Sequence, residues 1–266
     1  MRAGVARMRG GWGALAPMLL AGALLGGWES YADLGGVQEQ VLPAPHAVVA
    51  ALWNNRSLVF HNFTVTAEEV VLGLALALAG GLALAVALHL FAPLRRAVYP
   101  LAVGSQAVPI PVIGVLLVFW WGFGIFPKLV VIALICFFPV LVTTVDGLAA
   151  VDPDQPKLLR TLDASRWQAF RFAELPAALP AALSGARIAL AVGVIGAFIA
   201  ETSTPTTQAY AGLGREIVTD AGGFQTARAY AATAVLIAFA IACFYALALA
   251  ERRLAPWAVS SRGDTR

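Results

Sequence analysis

The sequence predicts an all-α polytopic membrane protein with about six transmembrane helices, and three observations carry that prediction. Of 266 residues, 60% are hydrophobic and only 12% charged, with a mean hydropathy of +0.79. Soluble domains carry about 25% charge, so this chain cannot cover a water-facing surface. The charges cluster, leaving apolar windows at Gly10–Trp28, Val70–Leu94, Ala97–Pro127, Leu129–Val145, Ile188–Ala200 and Ala229–Ala250. About 20 such residues cross a hydrocarbon core, and the short fifth window extends past Glu201 through Thr202 and Ser203. Threading the windows from a cytoplasmic N-terminus puts fourteen Lys and Arg inside and four (Arg56, Lys128, Arg215 and Arg228) outside, the bias expected of cytoplasmic loops. Both termini are therefore expected in the cytoplasm. A net charge of +3 and a pI near 9.1 follow from those loops, and soluble-enzyme, disordered and nucleic-acid-binding readings are set aside.

The first element, residues 1–28, is read as a transmembrane helix with Trp28 as its interfacial anchor. Arg2, Arg7 and Arg9 before the apolar run Ala14–Leu25 also fit a cleaved signal peptide, which would leave five spans. Residues 29–66 form an external segment in which Leu42-Pro43-Ala44-Pro45 leads into a short helix ending near Trp53. A core domain is expected over 67–258, with a cytoplasmic tail at 259–266. Its first span, Ala67–Phe91, carries Gly73, Gly80 and Gly81 among many alanines, small residues that let helices approach closely. The 31-residue third window holds Pro100, Pro109, Pro111 and Pro127. Proline removes a donor and clashes with the preceding turn. Irregular backbone at membrane depth persists where it is buried in protein or lines a cavity. A helix broken near Pro109 and Pro111 beside a pathway is expected, with Ser105 and Gln106 at the break; a simple packing kink is the alternative. Thr143 and Glu201 are further path candidates, and Glu201 is expected to orient an external loop at the mouth of the path, Thr202, Ser203 and Thr204 suggesting a wet setting; a packed, neutralised structural acid is the alternative.

Nothing points to a reaction centre. Cys136 and Cys243 lack metal-site or redox spacing and read as small buried hydrophobes. His46, His61 and His89 are scattered, so no metal site, catalytic residue or cofactor site is expected. The two lysines, Lys128 and Lys157, follow Phe126-Pro127 and Gln155-Pro156 rather than a glycine-rich phosphate loop. ATP, if it drives transport here, binds to another polypeptide.

The cytoplasmic loop 149–183 holds the most structure. Asp152-Pro153 fits an N-cap followed by proline at the first helical position. Leu158, Leu159 and Leu162 then fall on one side of a short helix. Ser165 with Gln168 makes a capping box, starting a second helix that presents Trp167, Phe170 and Glu174 along one stripe beside Arg166 and Arg171, and stops before Pro176. Two short capped helices form a docking element for a partner's groove; a loop packed on its own bundle is the alternative.

The run Leu162-Asp-Ala-Ser-Arg-Trp-Gln-Ala-Phe170, with Leu175–Pro180 and Ser184–Leu190, resembles the EAA loop of ABC importer permeases. Leu42–Val48, Gln106–Pro111, Trp121–Gly124, Phe137–Pro139, Gly212–Gly214 and Trp257 are similar to the nitrate, sulfonate and taurine branch, in family order, so the resemblance spans roughly residues 40–258. Two departures stand out. The family's Glu-Ala-Ala falls at Lys157-Leu158-Leu159, and its glycine falls at Asp163, a residue type that tolerates left-handed backbone better than most. The resemblance implies a type I importer permease fold. It also implies an ATPase-coupling loop running from Leu158 and Leu159 through Leu162, Asp163, Ala164, Ser165, Arg166, Trp167 and Gln168 to Phe170. Implied partners are cytosolic ATP-binding subunits, a second permease copy, and a periplasmic or lipid-anchored solute-binding protein. Members of the branch carry aliphatic sulfonates, taurine, nitrate or cyanate, and some relatives carry thiamine-precursor pyrimidines; Gln106–Pro109 and the Phe-Gly-x-x-Pro-Lys pattern ending at Lys128 are similar to the pyrimidine group. An ATP-independent secondary transporter or channel is the alternative, but such transporters need polar coupling sites and usually internal repeats. Here no clear repeat is visible, and Glu201 is the only acid well inside a window.

Overall fold

A computed structural model describes residues 9–204 and 210–255, and those residues contain no β-strand. Eleven α-helices are described: α1 (Arg9–Leu34), α2 (Pro45–Asn54), α3 (Arg56–Leu90), α4 (Ala92–Ser105), α5 (Ile110–Trp121), α6 (Ile125–Ala149), α7 (Asp154–Thr161), α8 (Arg166–Ala169), α9 (Leu175–Ser203), α10 (Leu213–Gly222) and α11 (Thr226–Leu254). Four helical segments are long and apolar enough to cross a membrane: Arg56–Leu90, Ile125–Ala149, Arg166–Ser203 and Thr226–Arg253. The pair α4 and α5 makes a fifth crossing if counted as one broken span. The remaining expected crossing falls on α1, which carries Glu29 and Asp33 in its last turns. The tail and Trp257 lie outside the described residues.

Two compact units divide the chain. One draws on residues up to Phe60 and on Glu216–Ala234; the other on His61–Arg215 and the chain from Val235 onward. In the first, Trp28 donates its indole N–H to the Pro43 carbonyl at 3.1 Å and its ring lies against Tyr230. Pro45 opens α2 at its first turn, where its missing N–H costs nothing. In the second, α6 packs along α9 over a core that includes Val131, Ile132, Cys136, Ala189 and Ala197, with α3 closing against α6. Close approach is made by glycine. A Cβ on Gly73 would lie 2.6 Å from Ile132, and one on Gly81 2.9 Å from Val140.

The expected break in the third window is present. Helix α4 ends at Ser105, α5 starts at Ile110 with Pro109 as its N-cap, and the two axes are bent by 99°. The loop differs from expectation in two places. Helix α7 starts one residue later than the Asp152-Pro153 reading, with Pro153 as N-cap, while Asp152 Oδ1 accepts from the Asp154 N–H at 2.9 Å. The second helix does not stop before Pro176. A π-helical turn over Phe170–Glu174, closed by the Leu175 N–H on the Phe170 carbonyl, joins α8 to α9 without a gap. That wider turn restarts the α register at Leu175. Pro176 then occupies the first turn, where no intrahelical bond is lost.

Candidate functional site

Three groups of sequence-nominated residues separate in space, beginning with the loop. The Ser165 and Gln168 capping box forms in full: Ser165 Oγ accepts from the Gln168 N–H at 3.3 Å, and Gln168 Oε1 accepts from the Ser165 N–H at 2.7 Å. Before it, Leu162 ends α7 and Asp163 stands at φ 58°. The Asp163 N–H bonds the Arg160 carbonyl, and the Ala164 N–H reaches back to Leu159, both at 3.1 Å. This is a Schellman turn, the helix ending that glycine usually serves. The loop is tied to the end of α3 twice: Arg166 donates to the Leu90 carbonyl at 2.6 Å, and His89 Nε2 lies 2.6 Å from Glu174 Oε2. Phe170 is buried and stacks on Trp167 at 5.4 Å between centroids, while Trp167 stays 57% exposed. Leu158, Leu162 and Phe172 are also exposed, and an open hollow of about 540 Å³ runs between Leu158, Leu159, Phe172 and Pro176. The result is a rigid element with apolar side chains held outward.

At the break between α4 and α5, Ser105 and Gln106 line a cavity of about 330 Å³. Pro109 caps α5 and Pro111 sits in its first turn. Thr143 does not join them. Its hydroxyl donates back to the Pro139 carbonyl at 2.7 Å, and it fills the space above Gly185 on α9.

Glu201 belongs to a third group together with the Gly212–Gly214 turn; the sequence reading missed its other members, Thr66 and the Lys128–Glu69 pair. The Glu201 carboxylate is fully buried, not in the wet setting expected from Thr202–Thr204. Glu201 Oε1 accepts from Thr66 Oγ1 at 2.6 Å; Oε2 accepts from the N–H groups of Gly214 at 2.5 Å and Arg215 at 3.1 Å. The Leu213 N–H donates to Thr66 Oγ1 at 2.8 Å. A Cβ on Gly212 would come within 2.2 Å of Glu201 Oε1, and one on Gly214 within 2.8 Å of Oε2. The Gly212-Leu213-Gly214 sequence therefore wraps a carboxylate. Lys128, read as an external charge, lies in the first turn of α6 with its side chain wholly buried. Its ammonium donates to Glu69 Oε1 at 2.7 Å and also to the Tyr210 carbonyl. Two further ion pairs within single units escaped notice: Arg187 with Glu251, and Arg228 with Asp220. His46 lies 2.5 Å from Glu29, and that hydrogen bond holds its pKa above the ordinary 6.5.

The described residues thus form an all-helical fold with several membrane-span candidates, a broken span, a buried polar node and a capped loop bearing exposed aromatics. The profile of the family described as "Binding-protein-dependent transport system inner membrane component" matches residues 77–257, and the chain belongs to that family. It is 33% identical over 254 residues to the formylaminopyrimidine transport permease protein of Halalkalibacterium halodurans, covering 94% of this chain and 98% of that one. With the riboflavin transport system permease protein of Chloroflexus aurantiacus it shares 31% identity, over 94% of this chain and 92% of the relative. With the taurine transport system permease protein of Escherichia coli K12 the identity is 30%, over 88% and 86%. A crystal structure of an amino acid ABC transporter with histidines has the same fold at a TM-score of 0.62 and 17% identity, covering 77% of this chain and 97% of that chain. The chain is the permease subunit of an ABC importer in the inner membrane, a transport component and not an enzyme. Membership implies ATP-binding subunits and a solute-binding protein as partners.

Proposed function

We propose that two copies of this chain line one translocation path, with ATP-binding subunits docked from the cytoplasm on the α7–α8 loop. A solute-binding protein, periplasmic or lipid-anchored, delivers a small solute of the kind its relatives carry: a sulfonate, taurine- or nitrate-like anion, or a thiamine-precursor pyrimidine. The observation that supports the loop's role is the capped helix pair with Trp167 held outward and both ends of α8 and its π turn tied to α3. A rigid element of that kind transmits displacement instead of absorbing it. Closure of the ATP-binding subunits then moves the loop as a lever through the unbroken α8–α9 connection and shifts the population from inward to outward access. Ser105 and Gln106 line the path at the break, and Glu201 fixes the turn that follows α9.

The test uses the assembled importer in proteoliposomes. Trp167→Ala should leave membrane insertion and assembly intact while reducing binding-protein-stimulated ATP hydrolysis and uptake by tenfold or more, since buried aromatic anchors at interfaces commonly carry about 2 kcal/mol or more. Full stimulated hydrolysis and uptake in that variant would defeat the docking assignment.

A further inference from the structure

Two carboxylates and a histidine converge where α1 meets α2. Glu29 and Asp33 stand four residues apart near the end of α1, so both project from one face of the helix. His46, in the first turn of α2, is 17 residues beyond Glu29, and the intervening turn brings it back. The junction is packed: Ala32 and Ala44 are buried, and the Trp28 indole N–H holds the Pro43 carbonyl at 3.1 Å. One donor atom from each of the three residues lies within 4.8 Å of the others. His46 Nδ1 is 2.5 Å from Glu29 Oε1 and 4.0 Å from Asp33 Oδ2. Ligands held at about 2.0–2.2 Å by a tetrahedral zinc ion stand about 3.4 Å apart. To reach that spacing one gap opens and the other closes by less than about 1 Å, well within the swing of exposed side chains. All three side chains are partly open to solvent, which leaves the remaining coordination positions to water. The local charge is unbalanced. Among the described residues neither acid has a lysine or arginine partner, and the ion-pair partner of both is His46. Glu39 adds a third negative charge to the field at His46. An imidazole nitrogen with two carboxylate oxygens suits zinc and its first-row neighbours, whereas calcium and magnesium take oxygen ligands.

We propose that Glu29, Asp33 and His46 form a binding site for one first-row divalent cation such as zinc, which clamps the end of α1 to the start of α2. The test uses the full-length permease in detergent, without a histidine tag and stripped of metal by chelation. Calorimetry should show saturable binding of one zinc ion per chain. Zinc should also raise the thermal midpoint, since a ligand of the folded state stabilises it. Magnesium at the same concentration should do neither. Asp33→Asn separates a metal site from a plain ion pair. Asp33 stands too far from His46 for a hydrogen bond, so as a bystander its loss would change nothing. As a ligand, its loss should weaken zinc binding at least tenfold, the effect already typical of groups that merely support a ligand, and abolish the rise in midpoint. His46→Gln should do the same, while His61→Gln, on α3, should bind zinc as the parent does. Absence of saturable binding, zinc binding unchanged in Asp33→Asn, or equal binding of magnesium would overturn the site and leave a solvent-exposed Glu29–His46 pair. Uptake and ATP hydrolysis play no part in the readout, so its failure leaves the importer reading intact.

Discussion

Lys128 shows how a single residue can change meaning between sequence and structure. Its side chain has no exposure and bonds Glu69, itself fully buried. A buried ion pair contributes little net stability when formed, yet removing one partner costs about 3–5 kcal/mol because the other charge is stranded. Lys128→Met should therefore lower the thermal midpoint of the detergent-purified protein sharply. Lys128→Met combined with Glu69→Gln should recover most of the loss, since the second change removes the stranded charge. Scanning fluorimetry on the single and double variants checks this, and a double variant no better than Lys128→Met would show that the pair is not the relevant unit. None of this was legible in the chain. Glu69 lies 59 positions before Lys128, and Thr66 lies 135 before Glu201. Such distances carry no periodic signal, and a lysine just after Pro127 bounds an apolar window whether it faces water or an acid.

At the scale of elements, what could be read was what is local. The capping box runs from Ser165 to Gln168, the proline break lies between Ser105 and Ile110, and the short helix at Pro45 depends on its own first turn. The continuation of α8 into α9 was not legible, because proline ordinarily ends a helix and only the π turn at Phe170–Glu174 places Pro176 where it is harmless. Asp163 tests the turn between the two loop helices. Its positive φ costs a non-glycine residue about 1–2 kcal/mol, while glycine there loses about 0.4–1 kcal/mol through a freer unfolded chain. The difference favours glycine slightly. Asp163→Gly should be neutral or up to about 1 kcal/mol stabilising in thermal denaturation, with uptake unchanged. Loss of uptake at unaltered stability would mean that the Asp163 carboxylate meets a partner subunit.

For the molecule as a whole, the exposed apolar side chains of α4 and α5, among them Leu101, Val112, Phe119 and Trp120, are available to lipid or to a second copy. The paired-permease reading expects a protein mass of about twice 27.8 kDa for the chain purified in mild detergent with its ATP-binding subunits removed. Light scattering with detergent correction measures it, and a strictly monomeric species both alone and within the complex would dispose of the pairing. The buried lysine also has a consequence for how the protein is made. When α3 leaves the ribosome, Glu69 has no counter-charge, and 59 more residues must be joined before Lys128 exists. At about 5–20 residues per second that is a wait of about 3–12 s, during which an unpaired carboxylate at the membrane is costly. Until then the Glu69 carboxyl lacks the partner it has in the folded chain, and protonation or water must serve in its stead. The final packing of α3 against α6 is therefore completed only after the chain has been made through Lys128.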